Sequence, residues 1–264
     1  MSIFDGVEDI INGHLFFDPN HLRFKYHQKR SCQALSEFCP SRVDGIELVA
    51  ALYQRIQKNL AGEAYRPSSR NWVLRPFDMI NSPSSSDNKS SEVNLERAIA
   101  ERWQGTWFYQ TPVASGLIGR YADKRRAIDL VCRTDDECFD FIELKTEANT
   151  PLFAAFEILL YGLAYLVARQ DAGRLLHASN VSLALMAARQ ISLVVLAPDQ
   201  YYEDIELAWL EKKLKEGLSA LVTAQNVQRL TMDFRFEQFP PELAKCCQAS
   251  ELPESFPRNR AYSF

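Results

Sequence analysis

The chain has 264 residues, of which 47% are hydrophobic and 24% charged, and its formal net charge is -4. That balance describes an ordinary globular protein and excludes a disordered, collagenous or disulfide-scaffold chain. With no global basic field to draw it to nucleic acid or to a membrane surface, any such contact must come from a local patch.

Residues 1–90 read as an N-terminal α+β extension. Its opening MSIFDGVEDI is acidic and has no long apolar run, so no secretory leader is expected; with six cysteines and no CxxC, reduced thiols in the cytoplasm are the expectation. Residues 1–40 read as short strands with polar faces, and Lys25, Lys29 and Arg30 are available to a phosphate backbone. His14, His21, His27, Cys32 and Cys39 raise the alternative of zinc, but their spacings match no compact site. From Asp44 to Leu60 the apolar residues Ile46, Leu48, Val49, Leu52, Tyr53 and Ile56 recur at helical spacing, and Ala61-Gly62 ends the run. NSPSSSDNKSS at 81–91 reads as a linker.

The stretch 91–240 reads as an α/β core. A helix over 92–103 follows Ser91 as N-cap and buries Leu95, Ile99 and Trp103, with Glu96 beside that stripe. TWFYQTPVA (106–114) is a strand that Pro112 interrupts. AIDLV and FIELK are apolar strands carrying charge at Asp129, Glu143 and Lys145, and they flank an acidic turn over 134–137. A two-residue loop at Asp135-Asp136 would put Asp129 opposite Ile142; a three- or five-residue loop centred on Asp136 puts it opposite Glu143. No Asn-Gly pair favours the first, so the second is expected. On β-strand alternation, Glu143 and Lys145 then share a face with Asp129, opposite the apolar face of Ile142 and Leu144. Two carboxylates ~4 to 5 Å apart repel by roughly 3 to 4 kcal/mol at an effective dielectric near 20, which a divalent cation would relieve. The bland alternative is a surface hairpin with a cross-strand salt bridge.

Thr150 as N-cap and Pro151 at the first position start a helix to about Arg169, apolar nearly all round and better read as buried than as membrane-spanning. Glu157, Tyr161 and Tyr165 share one stripe of it. Glu157 either serves the site or makes a structural hydrogen bond with Tyr161. ISLVVLA (191–197) is a doubly buried strand, 204–224 an amphipathic helix, and 227–236 an alternating edge strand. Residues 241–264 read as a tail laid over the surface.

An acid on one strand, Asp129, and E-x-K on the next, Glu143-Leu144-Lys145, set between helices, resemble the PD-(D/E)XK nuclease superfamily over about residues 91–237. Ile128 stands where that motif has proline. The resemblance implies a restriction-endonuclease-like core with a mixed central sheet flanked by helices, and a Mg²⁺- or Mn²⁺-dependent nuclease acting on DNA before RNA. It implies Asp129, Glu143 and the Leu144 carbonyl as metal ligands, Lys145 as the catalytic cation, and Glu96, with Glu92 as runner-up, as the helix acid. Glu157 and Tyr161 stand where some branches carry Gln-x-x-x-Tyr. Arg120, Lys124, Arg125 and Arg126 form the expected nucleic-acid patch, no membrane is expected, and a homodimer is compatible with this reading. The alternative is a non-catalytic nucleic-acid- or protein-binding module on the same scaffold. Alanine at Lys145 is expected to abolish cleavage with the fold intact.

Overall fold

The computed structural model describes residues 2–16, 25–37, 43–61, 66–75, 77, 90–118, 123–147, 149–180, 183–227 and 229–262. Most of the 81–91 linker, together with His21, Cys39 and Arg120, lies outside them. The described residues form an α/β fold with a six-stranded open sheet. Its strands are β1 (Trp107–Pro112), β2 (Ala127–Asp135), β3 (Cys138–Leu144), β4 (Gln190–Pro198), β5 (Thr231–Phe239) and β6 (Asn259–Arg260). They lie side by side in chain order. β1, β2 and β3 run antiparallel, β3, β4 and β5 run parallel, and β6 returns antiparallel to β5.

Each parallel step needs a helical crossover. α5 (Pro151–Gln170), followed by the single turns α6 (Ala172–Leu175) and α7 (Ala184–Ala187), supplies the first and α8 (Ala208–Ala224) the second. α5 starts where expected: the Thr150 hydroxyl accepts from the Phe153 amide at 3.2 Å, and Pro151 fills the first position. By length and composition α5 could cross a membrane, but it is buried almost throughout. α3 (Gly45–Ala61) lies behind both crossover helices, capped by the Asp44 carboxylate, which accepts from the Ile46 and Glu47 amides. Ile46, expected in its buried stripe, is exposed.

On the other face of the sheet, α4 (Ser91–Arg102) and the turns after β5 cover Leu130, Ile142, Leu144, Val194 and Leu196. The expected single apolar face of the hairpin is therefore corrected: both faces are covered, because α5 packs over Phe139 and Phe141 while α4 packs over Ile142 and Leu144. The cap of α4 is Ser90, not Ser91. Ser91 instead shares a 2.9 Å hydrogen bond with Thr146.

The N-terminal segment departs from its expected strands. Among the described residues, 1–40 form α1 (Val7–Leu15) and α2 (Lys29–Glu37), so the extension is helical, with one isolated bridge from Ser68 to Leu176. Short apolar runs satisfy either period, and α1 takes the helical one with Val7, Ile11 and Leu15 inward. These helices share a continuous apolar cluster with α5, α8 and the sheet.

The C-terminal segment, read as a surface tail, is tied to the fold as far as Tyr262. β6 pairs with the far end of β5, and Arg258 and Arg235 each bond both Asp140 and Glu237 at 2.5 to 2.8 Å. Tyr262 is buried and donates to the Ile205 carbonyl. β5, expected at an edge, thus has a partner on each side.

α3 and α8 meet backbone to backbone. A Cβ on Gly217 would sit 2.3 Å from the Gly45 carbonyl oxygen and 2.5 Å from Val49. Gly217→Ala should therefore destabilise the protein by about 1–3 kcal/mol despite alanine's better helix propensity. A urea midpoint equal to wild type would contradict that close crossing.

Candidate active site

Asp129 and Glu143 occupy the pair next to Leu130 and Ile142, which face each other in the ladder. The register is the expected one, reached by a different route. Asp135 pairs with Cys138 across a two-residue turn at Asp136-Glu137, and an irregularity between Arg133 and Asp135 takes up one extra residue. A bulge on one strand restores the parity that the short turn alone would have reversed. Cys132 opposes Asp140, as that register requires.

A second irregularity lies at the same level. Ile128 joins the α5-side cluster and Leu130 the α4-side cluster, so strand alternation breaks at Asp129. Across from it on β1, Gln110 takes φ +48°, a left-handed conformation rare for a residue with a side chain. The Gln110 amide donates to Glu96 at 2.8 Å. Observed strain of this kind gathers at functional sites.

The distortion lets acids from both faces of the sheet meet. Lys145 Nζ bonds Glu143, and it lies 3.5 Å from Glu92, 3.9 Å from Glu157 and 4.0 Å from Asp129. Asp129 Oδ2 accepts the Leu144 amide at 3.0 Å, so that amide is the Leu144 group seen to meet the aspartate. One oxygen each from Glu92, Glu96 and Asp129 lies within 4.8 Å of the others. Glu143 Oε2 is buried without a hydrogen-bond partner.

Both members of the Glu143–Lys145 pair are only 3% exposed, and Glu96 is 1% exposed. Burial first, and then the neighbouring carboxylates, push up the carboxyls of Glu96 and Glu143. Asp129 rises to about 7, through burial and the charges of Glu92 and Glu157, against the pull of Lys145. Burial would lower the Lys145 pKa, but four carboxylates, Glu143 foremost, raise it instead and hold the ammonium charged.

Both candidate helix acids are thus at the site: Glu92 reaches Lys145 and Glu96 reaches Gln110. Glu157 holds Tyr161, whose hydroxyl donates at 3.3 Å, and also lies near Lys145. Arg126, expected to face nucleic acid, meets Glu157 at 3.7 Å and lies over the Phe4 ring. Lys124 and Arg125 are exposed. Gln110 was not expected at the site. A glutamine in the otherwise apolar-aromatic WFYQT run is its only sequence signal, because the irregular connection from β1 to β2 leaves their register open.

Four carboxylates, Glu92, Asp129, Glu143 and Glu157, therefore surround one ammonium, with Glu96 beside Glu92 and Asp129 and Arg126 at the margin. Hard oxygen donors without thiol or imidazole suit Mg²⁺ or Mn²⁺ better than a soft-ligand metal. Glu92, Glu96 and Asp129 fit such an ion, whereas Glu143, expected as a ligand beside Asp129, is not part of that cluster: one of its oxygens bonds Lys145 and the other is buried without a partner. Compared with models of known protein families, with curated proteins and with solved structures, the chain matches none.

Proposed function

We propose that the protein is a metal-dependent nuclease of the PD-(D/E)XK kind, with a restriction-endonuclease-like core, hydrolysing phosphodiester bonds in DNA. One observation carries this reading: Asp129, Glu143 and the helix acid Glu92 converge on the buried Lys145, and a second helix acid, Glu96, joins Glu92 and Asp129 in one carboxylate cluster. A salt-bridged surface hairpin would need neither that burial nor the α4 acids.

Asp129, Glu92 and Glu96 would hold Mg²⁺ or Mn²⁺. Such an ion supplies Lewis-acid stabilisation of the charge that grows on phosphate oxygens. Gln110 fixes the rotamer of Glu96, and the Leu144 amide fixes that of Asp129, so these acids are oriented beforehand. Lys145 brings a fixed positive charge to the same place, where it can neutralise a phosphate oxygen in the transition state. Glu157 and Tyr161 close the α5 side of the site and are in turn held by Arg126.

Purified protein incubated with linear and circular DNA should cut them with Mg²⁺ or Mn²⁺ and leave them intact with a chelator. Failure of the folded protein to cut DNA or RNA with either ion would refute the proposal. Metal-independent binding without cleavage would favour the non-catalytic module instead.

A further inference from the structure

A second concave site lies on the β1 side of the fold, where residues 66–70 of the N-terminal segment meet the loop after β1 and the turn before β2. The cavity measures about 390 Å³ and is lined by Arg66, Ser68, Ser69, Arg70, Ser115 and Lys124. Among the described residues, three cations and three hydroxyls line it and no carboxylate does. That composition stands out in a chain whose net charge is -4. Asp123, next to Lys124, is turned elsewhere and accepts from the Ser2 hydroxyl and the Ile3 amide.

The frame of the cavity is built in advance. Buried Asn71 accepts the Ser115 amide at 2.9 Å, and the Asn180 side-chain amide ties down the carbonyls of Ser68 and Asn71. The Arg66 amide donates to the Leu117 carbonyl at 3.0 Å. Trp72, fully buried, is held at φ +64°, a conformation that costs energy for a bulky residue and persists only where the surroundings impose it. A rigid, hydroxyl-lined basic cavity suits a phosphate group, which takes both charge and several hydrogen bonds.

The cavity and the acidic cluster are neighbours along the chain. Lys124 lies two residues before Arg126, which meets Glu157, which in turn lies 3.9 Å from Lys145. We infer that this cavity binds a phosphate group of the nucleic-acid strand whose cleavage is proposed above, either a strand-end phosphomonoester or an internal phosphodiester. The inference rests on the nuclease reading for its choice of ligand, but it makes a separate claim about Arg66, Arg70 and Lys124.

The test is fluorescence anisotropy with labelled 20-nucleotide single strands and duplexes in the presence of chelator, comparing wild type with Arg66→Gln/Arg70→Gln/Lys124→Gln. The triple variant should bind roughly tenfold more weakly or worse, and its salt dependence should be shallower by about 2 to 3 in the log–log slope. It should still unfold in one cooperative transition with the wild-type circular dichroism spectrum, since all three side chains are exposed. Loss confined to 5′- or 3′-phosphorylated strands identifies an end phosphate, and equal loss with hydroxyl ends identifies internal phosphates. Unchanged affinity and slope overturn the inference, as does wild type that binds no strand. If the variant with unchanged affinity still cuts DNA with Mg²⁺, the nuclease reading survives alone. If affinity falls as expected but wild type cuts nothing, the phosphate site stands and the nuclease reading fails.

Discussion

Replacing Lys145 by alanine should destabilise the metal-free protein by about 3–5 kcal/mol at neutral pH, as well as removing cleavage. A surface lysine would carry no such cost. Lys145, however, is 3% exposed and is the cation in contact with Glu143, itself 3% exposed. Alanine leaves that carboxylate buried among Asp129, Glu92 and Glu157 with no counter-charge. The burial of the pair therefore adds a stability cost to the loss of cleavage expected from the motif alone. Glu143→Gln/Lys145→Met should recover most of the lost stability, because neither an ammonium nor a carboxylate then remains uncompensated at the pair, yet it should not recover cleavage. Urea unfolding of the single and double variants checks this. A Lys145→Ala midpoint equal to wild type would mean that Glu143 is not held by Lys145.

Asp129→Asn should act in the opposite direction on stability while also abolishing cleavage. The asparagine carbonyl can still accept the Leu144 amide, but it carries no charge beside Glu92, Glu96 and Glu157. The ordinary carboxyl of aspartate, near 3.8, rises to about 7 in the fold. Over that interval the unfolded chain has already lost its proton while the folded protein retains it, so wild type loses stability as pH rises from about 4 to 7. Above that range the penalty stays constant. The gap corresponds to about 4 kcal/mol at most. The variant should therefore melt at the wild-type temperature near pH 4 and roughly 10 °C higher at pH 8 without metal. Mg²⁺ or Mn²⁺ should narrow that difference at pH 8 by stabilising wild type alone. A variant less stable than wild type at pH 8 in chelator would show that Asp129 is not destabilising in the metal-free fold.

These two residues mark what could be read from the chain. The register that sets Asp129 opposite Glu143 followed from the count of residues between them once the loop parity was chosen, whereas the break in alternation at Asp129, which brings acids from both faces together, has no local signal. The route to it was not legible: a two-residue turn with a bulge and an odd-length loop without one give the same facing at Asp129. The capping of α5 by Thr150 and Pro151 was plain, because it depends on adjacent residues alone. Gln110 and the Arg126–Glu157 contact depend on how β1 and α5 sit against β2, which no local pattern specifies. α1 and α2 were missed because runs of a few apolar residues carry no distinct period. The structural role of Arg258 was hidden for a related reason: an arginine in a Pro-punctuated segment looks solvated until its partners, Asp140 and Glu237, are placed by other strands.

The side-by-side order of the six strands also bears on how the protein forms. Every neighbour in the sheet is a neighbour along the chain, so it can grow by accretion, with no strand inserted between two already paired. The acids and the lysine all come from the contiguous stretch 92–157, so they can be gathered by the first three strands and the helices beside them. α8 and the Arg258 clamp come later in the chain. The electrostatic cost of that gathering is met by contacts made nearby, while the outer clamp secures strands that take no part in it.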